Sequence, residues 1–171
     1  MTDSEPVEQA LAWCEKAGFP GGAPRGGADG AVYLHEHTFP VTLTQTEDDL
    51  ELNLRLPVPA EALRGSDALA TDRLTHLVAH TAALRPGRLT GSLVDGPEGL
   101  MARFVRVLDI GVGRGGVLDA LADLDRCRLD FHELVALDLA AASARRATDE
   151  LARQLVSLGD EITRLNPARG S

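Results

Sequence analysis

Leu50, Leu52, Leu54 and Leu56 alternate with Glu51, Asn53 and Arg55, a period of two that predicts a strand with one buried and one wetted face over residues 50–57. The run before it, 39–46, alternates Val41 and Leu43 with threonines. Glu47, Asp48 and Asp49 supply a short polar turn between the two, so they read as an antiparallel hairpin. Residues 31–38 read as a further strand preceding it. Upstream, Val7, Ala10, Leu11, Cys14 and Ala17 recur at helical spacing behind a cap at Asp3 or Ser4, with Pro6 in the first turn and Gly18 at the end. Between that helix and the strands, 19–30 carries Pro20, Gly21, Gly22, Pro24, Gly26, Gly27 and Gly30, and is expected to be a loop.

A loop with Pro57, Pro59 and Gly65 leads to a middle helix over 69–84. Leu74, Leu77, Val78, Thr81 and Leu84 lie on one side of it, and Pro86 and Gly87 close it. Residues 89–94 and 100–110 predict a second hairpin through Asp95-Gly96-Pro97-Glu98-Gly99. From Val117 the pattern is helical, first with Leu121, Leu124, Arg128 and Phe131. A longer register follows, in which Leu134, Leu137, Ala141, Ala144, Thr148, Leu151, Leu155, Leu158, Ile162 and Leu165 keep alternating three- and four-residue steps, as a coiled-coil seam requires. This segment predicts either a dimerising or partner-binding helix or a helix packed on its own sheet. Gly159 marks an expected break, and 166–171 an expected frayed tail. The fold class predicted is α+β: an antiparallel sheet of about five strands in the order α-βββ-α-ββ-α, plus a long C-terminal helix.

Composition narrows the function. The 171 residues are ordinary for one globular domain, and 26 acidic against 17 basic side chains give a net charge of -9, which disfavours nucleic acid and anionic membranes as partners. Aromatics, at 4%, are too sparse for a base-stacking platform. Cys14 and Cys127 form no CxxC pair and read as small apolar residues in helical patterns, which fits a reducing compartment. The opening MTDSEPVEQA has neither the basic start nor the apolar run of a signal peptide, and no stretch approaches the ~18 apolar residues of a membrane span. A cytoplasmic location is expected.

Three constellations invite a chemical reading. Val107-Leu108-Asp109-Ile110-Gly111-Val112-Gly113-Arg114-Gly115-Gly116 resembles the first motif of Rossmann-like S-adenosylmethionine-dependent methyltransferases. Under that resemblance Gly111 and Gly113 would contact the cofactor, with Asp138 closing a second strand, Leu134-Val135-Ala136-Leu137-Asp138. Hairpins before the motif and unbroken helical pattern after it favour instead a simple loop between a strand and a helix. His35 and His37 share a strand face, and His76 and His80 a helix face, both usable metal-ligand spacings. The helical wheel turns His76 and His80 toward Asp72 and away from the leucines, so no metal is expected. No Gly-x-Ser-x-Gly elbow is present and neither cysteine has a neighbouring histidine, so no catalytic residue is assigned, no cofactor is expected, and the chain reads as a non-enzyme.

The order helix, three strands, helix, two strands, helix resembles class I type III secretion effector chaperones, the Tir chaperone family, or a protein of the same chaperone-like fold. Gly30-Ala31-Val32-Tyr33-Leu34-His35-Glu36-His37-Thr38-Phe39-Pro40-Val41-Thr42-Leu43 and Glu47-Asp48-Asp49-Leu50-Glu51-Leu52-Asn53-Leu54 resemble the family's first three strands with their acidic turn. That resemblance runs from about Glu5 to Leu134, and the expected division of the one globular unit is a chaperone-like part over 1–135 and a helical extension with its tail over 136–171. It implies a non-catalytic homodimer that binds the N-terminal segment of a secreted effector and keeps it competent for export. The middle helix of the family contributes to the dimer interface, which carries over to Leu74, Leu77, Val78 and Thr81. Trp13, Phe19, Phe39 and Val41, large apolar groups near the first helix and a strand edge, are the candidates for lining the effector groove.

Overall fold

The computed structural model describes residues 5–19, 21–22, 30–34, 39–64 and 67–166. In chain order these form α1 (Glu5–Lys16), β1 (Gly21–Gly22), β2 (Gly30–Leu34), β3 (Phe39–Thr46), β4 (Asp49–Pro57), a 3-10 turn (Ala60–Leu63), α2 (Asp67–Ala83), β5 (Thr90–Gly96), β6 (Gly99–Asp109) and α3 (Arg114–Leu165). All strands are antiparallel, in the order β1-β2-β3-β4-β6-β5. The fold is α+β, with five substantial strands and one of two residues. That short strand, Gly21–Gly22 against Ala31 and Val32, lies inside the segment expected to be only loop.

The period-two pattern of β4 is realised as expected. Leu50, Leu52, Leu54 and Leu56 are buried on one face, beside Val41 and Leu43 of β3, Val32 and Leu34 of β2, and Ala102, Phe104 and Leu108 of β6. Each such aliphatic side chain withdrawn from water contributes roughly 1.5–3 kcal/mol before the ordering entropy is set against it. The helices cover this face. Leu11 of α1 fills the space above Gly30, and Phe131 of α3 meets Phe104 edge-on with ring centroids 5.6 Å apart. α2 presses on β5 at Gly91, where an added Cβ would stand 2.9 Å from the Val78 carbonyl oxygen, a separation only glycine relieves.

The opposite face is mixed, with Glu51 half-buried, Asn53 buried and Arg55 exposed along β4. Arg103 of β6 donates from Nη2 to Glu51 Oε1 at 2.8 Å. With the Asn53 amide turned to accept, its oxygen takes Nε and Nη2 of Arg103 at 2.9 and 3.1 Å. Asn53 is buried beneath that guanidinium, and the network satisfies its polar group where β4 and β6 lie side by side. The loop after α2 is tied to α3 by ion pairs from Arg85 to Asp130 at 2.7 Å and from Arg88 to Asp123 at 3.2 Å.

The chain divides into two compact units, residues 1–134 and 135–171. In the first, α3 buries Val117, Ala120, Leu121, Leu124, Cys127 and Phe131. In the second, α3 continues through Gly159 without the expected break, and every residue from 143 to 166 is exposed. A single glycine costs an isolated helix about 1 kcal/mol relative to alanine, which the surrounding turns absorb.

Candidate protein-binding surfaces

Trp13 and Phe19 are half-buried at the end of α1, where the Phe19 amide donates to the Cys14 carbonyl at 3.0 Å and the chain enters β1 two residues later. Both therefore keep part of their surface accessible. Val41 does not: it is fully buried between Val32 and Leu54 and serves as core. Phe39 begins β3 opposite Leu34, and its side chain lies outside the described residues. Beside this cluster β1 covers only Ala31 and Val32 of β2, and among the described residues no strand pairs with the outer side of Tyr33 and Leu34.

Of the α2 positions assigned to a dimer interface, Leu74, Val78 and Thr81 are completely buried within their own chain. Thr81 Oγ1 donates to the Leu77 carbonyl at 2.8 Å, and only Leu77 retains accessible surface. The amphipathic stripe read from the sequence is the face that α2 lays on the sheet. A contact with another molecule through α2 would use Thr75, His76, Ala79 and Ala83. His76 and His80 stand on that exposed side, as the wheel indicated, while His35 and His37 lie outside the described residues. Among the described residues no group of three or more His, Cys, Asp or Glu could hold a metal ion.

The second sheet edge, β5, pairs only with β6 among the described strands. At its end Pro57, Val58, Pro97, Gly99, Leu100 and Met101 line an apolar hollow of about 230 Å³ beside Glu98. These residues escaped the sequence reading because the hollow forms only once β4 and β6 become neighbours through the α2 crossover. The available signal was the Pro57-x-Pro59 break following a strongly alternating strand.

The glycine motif has a structural explanation. Asp109 Oδ1 accepts the Gly111 amide at 2.7 Å, so the loop closes on its own carboxylate. Val112 folds over Gly116, where a Cβ would collide with its Cγ2. Asp138 stands within α3 rather than at the end of a second strand, because Leu134 and Leu137 follow helical spacing, and the sheet is antiparallel throughout. The cofactor arrangement of Gly111, Gly113 and Asp138 is therefore not assembled as the methyltransferase resemblance requires.

Both cysteines are buried and unpaired. Burial raises the Cys14 thiol to about 11 and is also the main cause of the rise at Cys127 to about 12, where nearby Arg85 works in the opposite direction. Neither is an activated nucleophile. Among the described residues no helix is long and apolar enough to cross a membrane.

No family model matches the chain, and no curated protein does. Solved structures do match. A protein from Methanothermobacter thermautotrophicus, described as uncharacterized, shares 14% identity at a TM-score of 0.57, covering 81% of this chain and 99% of its own. YbjN of E. coli, described as a candidate transcription regulator, shares 9% identity at a TM-score of 0.51, covering 81% and 92%. The Yersinia pestis type III secretion chaperone SycH, solved in complex with a stable fragment of YscM2, shares 14% identity at a TM-score of 0.45, covering 75% and 98%. The likeness to the first two is one of fold, spanning nearly their whole length.

Proposed function

We propose that this chain is a non-catalytic, cytoplasmic, homodimeric chaperone that holds an extended segment of a client, the N-terminal segment of a secreted effector protein. The observation that carries the reading is the pairing of half-buried Trp13 and Phe19 with a sheet edge at β2 that, among the described residues, β1 covers only at Ala31 and Val32. An extended peptide gains backbone hydrogen bonds at such an edge while its apolar side chains pack on exposed aromatic surface. Recognition of this kind needs few fixed residues, which is consistent with a binding surface lacking a polar constellation. The net charge of -9 suits basic, partly unfolded clients and opposes self-aggregation. The resemblance of the element order to class I effector chaperones supports the same use.

The test is capture of the tagged chain from its native cytosol at modest salt, identification of what co-purifies, and mapping of the protected segment by limited proteolysis. The reading predicts a stoichiometric partner protected near its N-terminus, and its loss in a Trp13→Ala chain that still folds. Absence of any stoichiometric protein partner would overturn it.

A further inference from the structure

Leu137, Leu151, Leu155, Leu158, Ile162 and Leu165 are between 54 and 74% exposed along the C-terminal part of α3. Isolated apolar side chains at a surface are ordinary, but these fall on one seam. With Ala141, Ala144 and Thr148 they keep strict three-four spacing, placing Ala141, Thr148, Leu155 and Ile162 at one core position of a heptad. Leu137, Ala144, Leu151, Leu158 and Leu165 take the other. A helix with that seam and no cover among the described residues of its own unit is built to meet another helix.

Side-chain volume selects the occupant and its direction. Two copies side by side in parallel would set Ala141, Ala144 and Thr148 each against itself, giving three small layers in succession, followed by layers of Leu and Ile only. No single interhelical distance fits both halves. Parallel pairing would also bring Glu133 against Asp138 of the other copy, a like-charge contact made twice. Reversing one copy removes both problems. Leu137 then faces the partner's Ile162, Ala141 the partner's Leu158, Ala144 the partner's Leu155, and Thr148 the partner's Leu151, so every alanine meets a large side chain. The flanking positions set Arg145 beside Ala152 and Ala147 beside Gln154, with no like charges opposed. Thr148 is already equipped for burial at the centre, since its Oγ1 donates to the Ala144 carbonyl at 3.0 Å.

We infer that residues 137–165 pair with the same segment of a second copy of this chain as an antiparallel two-helix seam, in the register that places Ala141 opposite the partner's Leu158. The inference deepens the homodimer of the preceding reading and does not depend on client binding.

Full-length Ala141→Cys and Leu158→Cys chains, separately tagged, test it by mild oxidation, alone and mixed. The native thiols are poor competitors at neutral pH because burial holds them protonated. The antiparallel register predicts a 141-to-158 cross-link in the mixture and little product from either chain alone. Links of 141 to 141 and 158 to 158 would overturn the proposal, as would a dimer that cross-links at neither position. Sedimentation of the unmodified chain should show twice the 18.2 kDa mass at tens of micromolar, and a monomer there would equally overturn it. Leu151→Glu, a change at an exposed position that leaves the sheet intact, should weaken association roughly 100-fold or more by burying carboxylates in the seam. An unchanged dimer would contradict the assignment. Client capture by the Leu151→Glu chain and dimerisation of the Trp13→Ala chain separate failure of this seam from failure of the client-binding reading.

Discussion

The two parts of α3 are one helix with two fates. From Val117 to Phe131 one apolar stripe is closed over by the sheet, with Leu121, Leu124 and Phe131 wholly buried, while Leu129 on another side of the helix stays exposed. From Leu137 onward residues of the same kind, at equally regular spacing, stand in solvent. The early stripe mixes apolar and buried polar groups, including Arg128, which reaches Asp125 Oδ1 from Nε at 2.9 Å and Nη2 at 2.7 Å. The later one is a narrow seam of strictly alternating steps, the geometry of helix-on-helix contact. Amphipathic pattern reports that a face wants cover, while the breadth and period of the stripe report what kind of cover it takes.

The comparison is broken most directly by truncating one side chain in each part. Phe131→Ala, or Phe104→Ala beneath it, should cost about 3–5 kcal/mol in urea unfolding, the loss of a fully buried aromatic. Leu158→Ala, measured at dilution, should leave that transition within roughly 0.5 kcal/mol of its original position. Equal losses would mean that the later seam is covered within its own chain. Gly91→Ala sharpens the account of the sheet unit. The added methyl would press on Val78, and a destabilisation of roughly 1–3 kcal/mol is expected, read from the same denaturant curve.

Within the later segment, Gly159 has open space where a Cβ would go, so Gly159→Ala should raise helix stability by about 1 kcal/mol, visible as increased far-ultraviolet ellipticity at elevated temperature. The smallest effect concerns His132, whose pKa is lowered by burial and secondarily by Arg128. A depressed imidazole contributes its stability above the ordinary value of 6.5 and loses it as pH falls through the folded-state value, since the unfolded chain then binds the extra proton. Unfolding midpoints should decline modestly below pH 6.5, and His132→Gln should flatten that slope.

What the residues disclosed depended on how local the cause was. β4 and its hairpin with β3 were legible because alternation and an acidic turn are written in consecutive positions. β1 was not, since Gly21 and Gly22 have no side chains to alternate and pair only because β2 lies beside them. Val41 alternates in step with Leu43, and that period places it inward. Its assignment to a groove followed from proximity to α1 rather than from the face it occupies. Leu74, Val78 and Thr81 show the same thing: a stripe identifies a contact face, but one sequence does not say whether the contact is its own sheet or a second chain. The Arg103, Asn53 and Glu51 network and the hollow near Met101 depend on the β4 and β6 register, which a crossover creates and no short-range pattern encodes.

The most direct measurement is amide hydrogen exchange on the intact chain across a range of protein concentration, resolved along α3. The account predicts that amides from 117 to 135 are strongly protected at every concentration, while protection from 137 to 165 rises with concentration as the seam finds its second copy. Strong protection of 137–165 at the lowest concentration, or none at the highest, would contradict it.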